Sequence, residues 1–354
     1  MNYKVIDLFS GVGGLSYGFI MENFEIVLAN EIDKDIANSY MKNHPKTIMI
    51  NKDITKLNIE ETFKDLKKIK NLIVVGGPPC QGFSQKGSRL GLEDERNQLF
   101  RYFFKVVRYL RPKYFVMENV PNLLTAENGY FKNEIKRIFE QLGYGLDMGV
   151  LNSYDFGVPQ QRKRAIIIGK LNGKLMLPKP LDEKVNVWEA ISDLAYLESG
   201  EGIEISEYIN EPMSKYQVEM RKESKKLYNH VATKHSKLAL ERLAMIPPEG
   251  GKDSLPEEHL TKSTYSGTWS RMKKNKPSVT ITTRFDTPSS GQFTHPYLNR
   301  AITLREAARL QSFPDSFIFW GNKSCKMKQI GNAVPPLLSK AIAKVIKEDI
   351  LNKE

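Results

Sequence analysis

Cys80 is the side chain in this sequence best set to act as a nucleophile. It lies in Gly76-Gly77-Pro78-Pro79-Cys80-Gln81-Gly82-Phe83-Ser84, at the end of the apolar run 72–76. A thiol behind a rigid Pro-Pro step, at the carboxyl end of a parallel strand, sits where such sheets bind ligands. Free cysteine usually serves as a small buried residue, but that use requires neither flanking Gly and Pro nor a polar loop behind it. Cys325, in Asn322-Lys323-Ser324-Cys325-Lys326, lacks this setting and reads as structural. An acid and two bases accompany the thiol. Phe115-Val116-Met117 runs into Glu118-Asn119-Val120, and Gln160-Gln161-Arg162-Lys163-Arg164 precedes the apolar run 165–169. Glu118 or Arg162 taken singly more often serves in a structural ion pair.

A second chemistry is suggested near the start. Residues 5–8, apolar except for Asp7, lead into Phe9-Ser10-Gly11-Val12-Gly13-Gly14-Leu15. Glycines after a first strand let the backbone approach a ligand and open a helix behind it. Glu31 follows Gly11 by twenty residues, where a carboxylate can hydrogen-bond ribose hydroxyls, and Asp53 follows a further short strand. The loop departs from the dinucleotide fingerprint at Ser16, which stands in place of the third glycine. On these residues alone NAD and S-adenosylmethionine remain equal candidates, and a turn used only for strand–helix packing would look the same.

The elements that must position these groups can be read from periodicity. Apolar runs at 5–9, 26–30, 72–76, 114–117 and 165–169 alternate with helical spacing at 98–110 and 132–142. That alternation predicts an α/β fold, a doubly wound and mostly parallel sheet. After Pro178-Lys179-Pro180 the texture changes. Residues 181–210 carry eight acidic residues and one basic, and residues 211–300 carry sixteen basic and nine acidic. Within the latter, 261–284 holds Lys262, Arg271, Lys273, Lys274, Lys276 and Arg284 and no acid. This stretch, with Gly and Pro at 247–251 and 288–291, predicts a smaller, loop-rich second domain. Helical patterns return at 303–311 and 337–350. The expected domains are therefore 1–178 completed by 324–354, and 179–323.

The whole chain has 354 residues and a net charge of +12, which suits a polyanionic partner. No apolar run is long enough to span a membrane. Met1-Asn2-Tyr3-Lys4 runs straight into a strand without a signal peptide, and two cysteines fit a reducing, cytoplasmic setting. His230 and His235 have no partner at metal-ligand spacing; both are expected at the surface, and no metal site is expected.

Six motifs in order resemble the DNA (cytosine-5)-methyltransferases of bacterial restriction–modification systems. They are Asp7-Leu8-Phe9-Ser10-Gly11-Val12-Gly13-Gly14, Gly77-Pro78-Pro79-Cys80-Gln81-Gly82-Phe83-Ser84, Glu118-Asn119-Val120, Gln160-Gln161-Arg162-Lys163-Arg164, Arg305-Glu306-Ala307-Ala308-Arg309-Leu310-Gln311-Ser312-Phe313-Pro314-Asp315 and Gly331-Asn332-Ala333-Val334-Pro335-Pro336. The resemblance implies an S-adenosylmethionine-dependent fold with a target-recognition domain between about 178 and 300, facing the catalytic domain across a cleft for duplex DNA. It implies attack of the Cys80 thiolate on carbon 6 of a flipped-out cytosine, activating carbon 5 for methylation. Glu118 would serve ring nitrogen 3 and the exocyclic amine with a pKa raised by burial. Arg164 would hold the cytosine carbonyl, and Arg162 would contact the backbone or support the acid.

For the cofactor, the resemblance implies Phe9 against adenine, Gly11, Gly13 and Gly14 near the methionine portion, Glu31 on the ribose, and Asp53 with Ile54 on the adenine. Ile32 stands where the family often has an aromatic residue; Pro79 and Asn332 would complete the pocket. DNA contacts are expected from Gln81, Ser84, Arg96, Arg271, Lys273, Lys274 and Arg284, and residues 85–98 form the natural lid. A cognate restriction endonuclease and single-subunit action follow from the same resemblance. A tRNA methyltransferase of this fold would carry Cys-Phe-Thr, yet no cysteine lies between Cys80 and Cys325. A non-catalytic relative would have lost the thiol or the acid. An NAD-dependent oxidoreductase would leave Pro79-Cys80-Gln81 unexplained.

Overall fold

The computed structural model describes residues 3–79, 98–262 and 266–352, with only the backbone for Glu127. Two compact units emerge: Met1–Asn152 with Lys163–Pro180 and Pro336–Glu354, and Ser153–Arg162 with Leu181–Pro335. The boundary drawn on composition at 179 and 323 differs in two places. Residues 153–162 and 324–335 group with the second unit, because their buried polar side chains find partners there. Gln160 donates to Leu310 O and Gln311 Oε1, and Arg162 to Ile281 O and Gly331 O. A buried amide or guanidinium must go where carbonyl acceptors are.

In the first unit, among the described residues, seven strands form one sheet: β1 (Lys4–Leu8), β2 (Glu25–Asn30), β3 (Ile48–Ile50), β4 (Leu72–Gly76), β5 (Tyr114–Asn119), β6 (Tyr144–Asn152) and β7 (Lys163–Leu171). The order is β3-β2-β1-β4-β5-β7-β6. β1 to β5 are parallel; β7 runs antiparallel to both β5 and β6. The middle residues of the central parallel strands are apolar because helices cover both faces; Ile73, Val74, Val75, Phe115 and Val116 are fully buried. The antiparallel pair departs from the purely βα-alternating pattern. β6 reads Tyr-Gly-Leu-Asp-Met-Gly-Val-Leu-Asn, with no continuous apolar run to mark it as a strand.

The strand order reverses between β1 and β4, the switch point where open α/β sheets bind ligands at their carboxyl ends. The glycine loop leaves β1 there, and the segment leading to Cys80 leaves β4. The final helix Pro336–Leu351 packs against the helix Gly14–Met21. Gly18 makes this approach achievable: a Cβ there would lie 2.3 Å from Ser339 Cβ, and Ser339 Oγ donates to Leu15 O at 2.5 Å.

The second unit carries the antiparallel pair β8 (Gly202–Ser206) and β9 (Leu227–Val231) and short helices, of which Leu304–Leu310 is buried along its whole length. Its buried charges neutralise one another. Arg309 pairs with Asp193 and Asp315, Arg300 with Glu306, and Arg221 with Asp193. Part of the acidic excess at 181–210 is thus internal.

Candidate active site

β1 ends in a sharp bend. Phe9 adopts φ +57°, a left-handed conformation uncommon outside glycine, and Ser10 N donates to Asn30 O of β2. Gly11 (φ +54°) then turns its N–H onto Glu31 Oε2 at 2.9 Å, while Glu31 Oε1 accepts from Asp33 N at 2.8 Å. Each carboxylate oxygen thereby keeps a lone pair for an external donor. Burial pushes the Glu31 carboxyl above the usual carboxylate range, against the pull of these N–H groups. Gly13 (φ +96°) caps the helix Gly14–Met21, and a Cβ on it would lie 2.3 Å from the His44 ring nitrogen Nε2. No larger residue fits that cradle.

Asn30 donates to Ile50 O and Lys52 O, and Asn51 to Glu31 O and Ile32 O, so the loops after β2 and β3 are laced together. Asp53 spends one oxygen on Thr55 N, capping a short turn over buried Ile54. Ile32 is 65 % exposed at the strand end, an apolar face open to a planar ligand.

Behind the glycine loop lies a polar cluster that the motifs did not single out. Asp7 is 1 % exposed; its Oδ2 accepts from Ser16 Oγ at 2.6 Å, and Ser16 Oγ lies 2.8 Å from Tyr40 OH. The departure at Ser16 is therefore a buried hydrogen bond under the loop, where a third glycine would leave Asp7 without this partner. Desolvation pushes the Asp7 carboxyl up to about 7, and burial pulls His44 down to about 4. An acid whose folded pKa is raised binds more protons folded than unfolded, so its contribution to stability falls as pH rises. The stability of Asp7→Asn relative to wild type is expected to climb between pH 4 and about 7 and then level off, as read by thermal melting across that range. A flat difference would place the ionisation of Asp7 elsewhere.

On the β4 side, the chain reaches Cys80 through Gly77-Pro78-Pro79, of which Pro79 is exposed. Cys80, Gln81, Ser84 and the expected lid as far as residue 97, Arg96 included, lie outside the described residues, while Gln98 opens the helix Gln98–Leu110. Asn119, buried at the end of β5, donates to Pro78 O at 2.8 Å and fixes this approach. Gly77 passes beside the acid: a Cβ there would lie 3.0 Å from Glu118 Oε2. Glu118 Oε1 is 2.8 Å from Arg164 Nε, with both side chains about 85 % buried (16 % and 13 % exposed). β5 and β7 position this pair, since Glu118 stands opposite Ile166 and Arg164 lies two residues before it. Arg164, expected on the cytosine carbonyl, thus holds the acid here.

The other expected residues fall in the second unit. Arg162 is 1 % exposed on the carbonyls of Ile281 and Gly331, leaving no surface for a DNA phosphate. Asn332 is exposed at the end of the helix Lys323–Asn332. Among the basic residues of 261–284, Lys273 and Arg284 are exposed and Lys274 is half-buried. Arg271 requires correction. It is 3 % exposed and donates to Leu243 O, Ile246 O, His295 O, Leu298 O and Asn299 Oδ1, so it braces loops instead of meeting DNA. His230 is also corrected: it is 1 % exposed between Thr303 Oγ1 and Leu194 O. No group of three His, Cys, Asp or Glu at metal-binding distance occurs among the described residues, and no helix there is long and apolar enough to cross a membrane.

The chain and its fold match known proteins. The family model for the C-5 cytosine-specific DNA methylases matches residues 3–348. The type II methyltransferase M.DdeI of Desulfomicrobium norvegicum is 38 % identical, over 97 % of this chain and 88 % of its own length. The type II methyltransferase M1.HphI of Haemophilus parahaemolyticus is 37 % identical, over 98 % of this chain and 87 % of its own. A prophage-encoded DNA modification methyltransferase from E. coli superposes with a TM-score of 0.80 at 28 % identity, covering 99 % of this chain and 100 % of that one. The S. pombe Dnmt2 methyltransferase, 20 % identical with a TM-score of 0.59 over 98 % of this chain and 99 % of its own, shares the fold. With a glycine loop and a carboxylate–arginine pair at adjacent strand ends, a mostly parallel seven-stranded sheet and a match running nearly end to end, the chain belongs to the C-5 cytosine-specific DNA methylase family and is a DNA (cytosine-5-)-methyltransferase.

Proposed function

We propose that the enzyme takes its methyl group from S-adenosylmethionine and places it on carbon 5 of a cytosine flipped out of duplex DNA, through a transient bond from Cys80 to carbon 6. The observation that carries the reading is the Glu118–Arg164 pair beside Gly77, three residues before the thiol. The cofactor suits the β1 loop. Glu31 keeps an acceptor on each oxygen for ribose hydroxyls, Gly11 has open space where a Cβ would stand, and Phe9, exposed Ile32, Asp53 and Ile54 frame a flat ring. The backbone at 11–14 would hold the methionine portion, with Pro79 and Asn332 completing the pocket. When bound, S-adenosylmethionine supplies an electrophilic methyl group.

The chain's own residues do the remaining work. Cys80 as thiolate adds to carbon 6, which makes carbon 5 nucleophilic. Glu118 serves ring nitrogen 3 and the exocyclic amine, and Arg164 fixes that carboxyl by a 2.8 Å pair while its Nη1 donates to Lys163 O, leaving Nη2 for the cytosine carbonyl. Loss of the proton on carbon 5 then expels Cys80. Arg162 contributes by positioning, holding Gly331 next to Asn332. Gln81, Ser84 and Arg96 contribute DNA contacts. The second unit, with exposed Lys273 and Arg284, carries target recognition. The enzyme acts as a monomer in the cytoplasm and protects host DNA from a cognate endonuclease; the names of the type II relatives support that role.

The test is methyl transfer from labelled S-adenosylmethionine to duplex DNA and, separately, to tRNA, with nucleosides identified by mass spectrometry. 5-Methylcytosine in DNA that disappears with Cys80→Ala is expected. Product in tRNA alone, or product that survives Cys80→Ala, would overturn the reading.

A further inference from the structure

The second unit contains a built cleft of about 290 Å³, lined by Pro248, Glu249, Met272, Lys274, Pro296 and Tyr297. Its floor is apolar and buried, with Met272 1 % exposed and Pro296 also buried, while the groups on its rim are polar and open. Tyr297 is 42 % exposed, Glu249 is exposed and Lys274 half-exposed. An apolar base with a few placed polar groups is the usual make-up of a recognition site.

The walls are held in place from behind. Arg271 N donates to Gly250 O, and its guanidinium reaches Leu243 O and Ile246 O on one side. On the other side it reaches His295 O, Leu298 O and Asn299 Oδ1. One buried cation therefore fixes both the loop bearing Glu249 and the loop bearing Tyr297. Tyr297 N and Leu298 N both donate to His295 Nδ1, and Trp188 meets the Tyr297 ring edge-on at 5.0 Å. Glu249 itself is kept at φ +63°, a strained conformation for a non-glycine residue. Lys274 Nζ stands 5.8 Å from the Tyr297 ring centroid, and the Tyr297 hydroxyl beside it raises the lysine pKa, with Glu249 adding to the shift.

A lysine donor and a carboxylate acceptor on the rim of one braced cleft match the pairing most used to read a G·C pair in the DNA major groove. Guanine presents O6 and N7 as acceptors, and its partner cytosine presents N4–H as a donor. We infer that this cleft reads a G·C base pair in the recognition sequence, with Lys274 donating to guanine and Glu249 accepting from the paired cytosine. The inference rests on the second unit carrying target recognition, and it deepens that reading by naming two residues and the base pair they select. Tyr297 orients the lysine, and Arg271 is a positioning residue.

The test methylates a duplex library randomised around the target cytosine with the full-length enzyme and sequences the modified sites. Wild type, Lys274→Met and Glu249→Gln are compared. Both variants are expected to relax the same single G·C position, by about tenfold or more, while the rest of the recognised sequence is retained. The double variant is expected to relax that position no further than either single one. Lys274→Met should leave the salt dependence of DNA binding unchanged, since a base contact, unlike a phosphate contact, does not set that slope. An unchanged recognised sequence with uniformly slower methylation, or a shallower salt slope, would overturn the assignment and put Lys274 on a phosphate. Relaxation at two different positions would also overturn it. A wild type that modifies no duplex would instead defeat the proposed function, and this inference with it.

Discussion

Asp315→Ala will destabilise the second unit by about 3–5 kcal/mol, the cost of leaving a buried charge without its counter-ion. Asp315 is fully buried and accepts from Arg309 Nε at 2.9 Å, from the second Arg309 amino group at 2.6 Å and from Tyr208 OH at 2.7 Å. Burial by itself would push this carboxyl up; the Arg309 guanidinium, with Arg305 behind it, outweighs that and holds it below the ordinary range. Arg309 is also fully buried, and Asp193 alone would be left to balance both it and Arg221. The melting temperature should fall by about 6–20 °C, at roughly 2–4 °C per kcal/mol for a unit of this size. Because the folded carboxyl has a depressed pKa, the stabilisation it gives is present at neutral pH and lost as pH drops through the acid range. As a control, Lys226→Ala removes an exposed pair at 3.5 Å from Glu207 and should shift stability by less than about 1 kcal/mol. Equal shifts for the two variants would show that the buried network contributes no more than a surface pair.

Glu118→Gln should lower the rate of methyl transfer by about 10²–10⁴-fold while the protein stays folded, the range found when a positioned proton donor or acceptor is removed. Glutamine keeps the shape of the side chain but cannot exchange a proton with ring nitrogen 3, and it leaves Arg164 without its charged partner at 2.8 Å. The loss should fall on kcat in single-turnover assays with duplex DNA, because the interaction is made to the reacting ring. A rate within a few-fold of wild type would remove Glu118 from the chemistry and leave the pair a structural one.

Much of the first unit was legible because its signals are local. The apolar runs 5–9, 26–30, 72–76 and 114–117 became β1, β2, β4 and β5, and the helical spacing at 98–110 became the helix Gln98–Leu110. Buried parallel strands must be apolar on both faces, and that leaves a readable run. β6 escaped notice because glycines and an aspartate interrupt its apolar residues. The glycine loop was legible for a similar reason: positive φ at Gly11 and Gly13 demands a residue type visible in one dimension.

The sequence by itself determined which chemical groups stand at the described strand ends: the carboxyls of Glu118 and Glu31, and the glycines after β1. Tertiary structure alone decided what each charged group is for. Arg271, Arg164 and Arg162 are indistinguishable as arginines in the sequence. Folded, one braces two loops through carbonyls between residues 243 and 298, one pairs with Glu118, and one ties residue 162 to 281 and 331. His230 went from expected surface to buried interior in the same way. A guanidinium or imidazole has the same donors wherever it lies. Whether they face DNA, a carboxylate or the protein's own backbone depends on partners a hundred residues away, which only the folded chain brings within hydrogen-bonding distance.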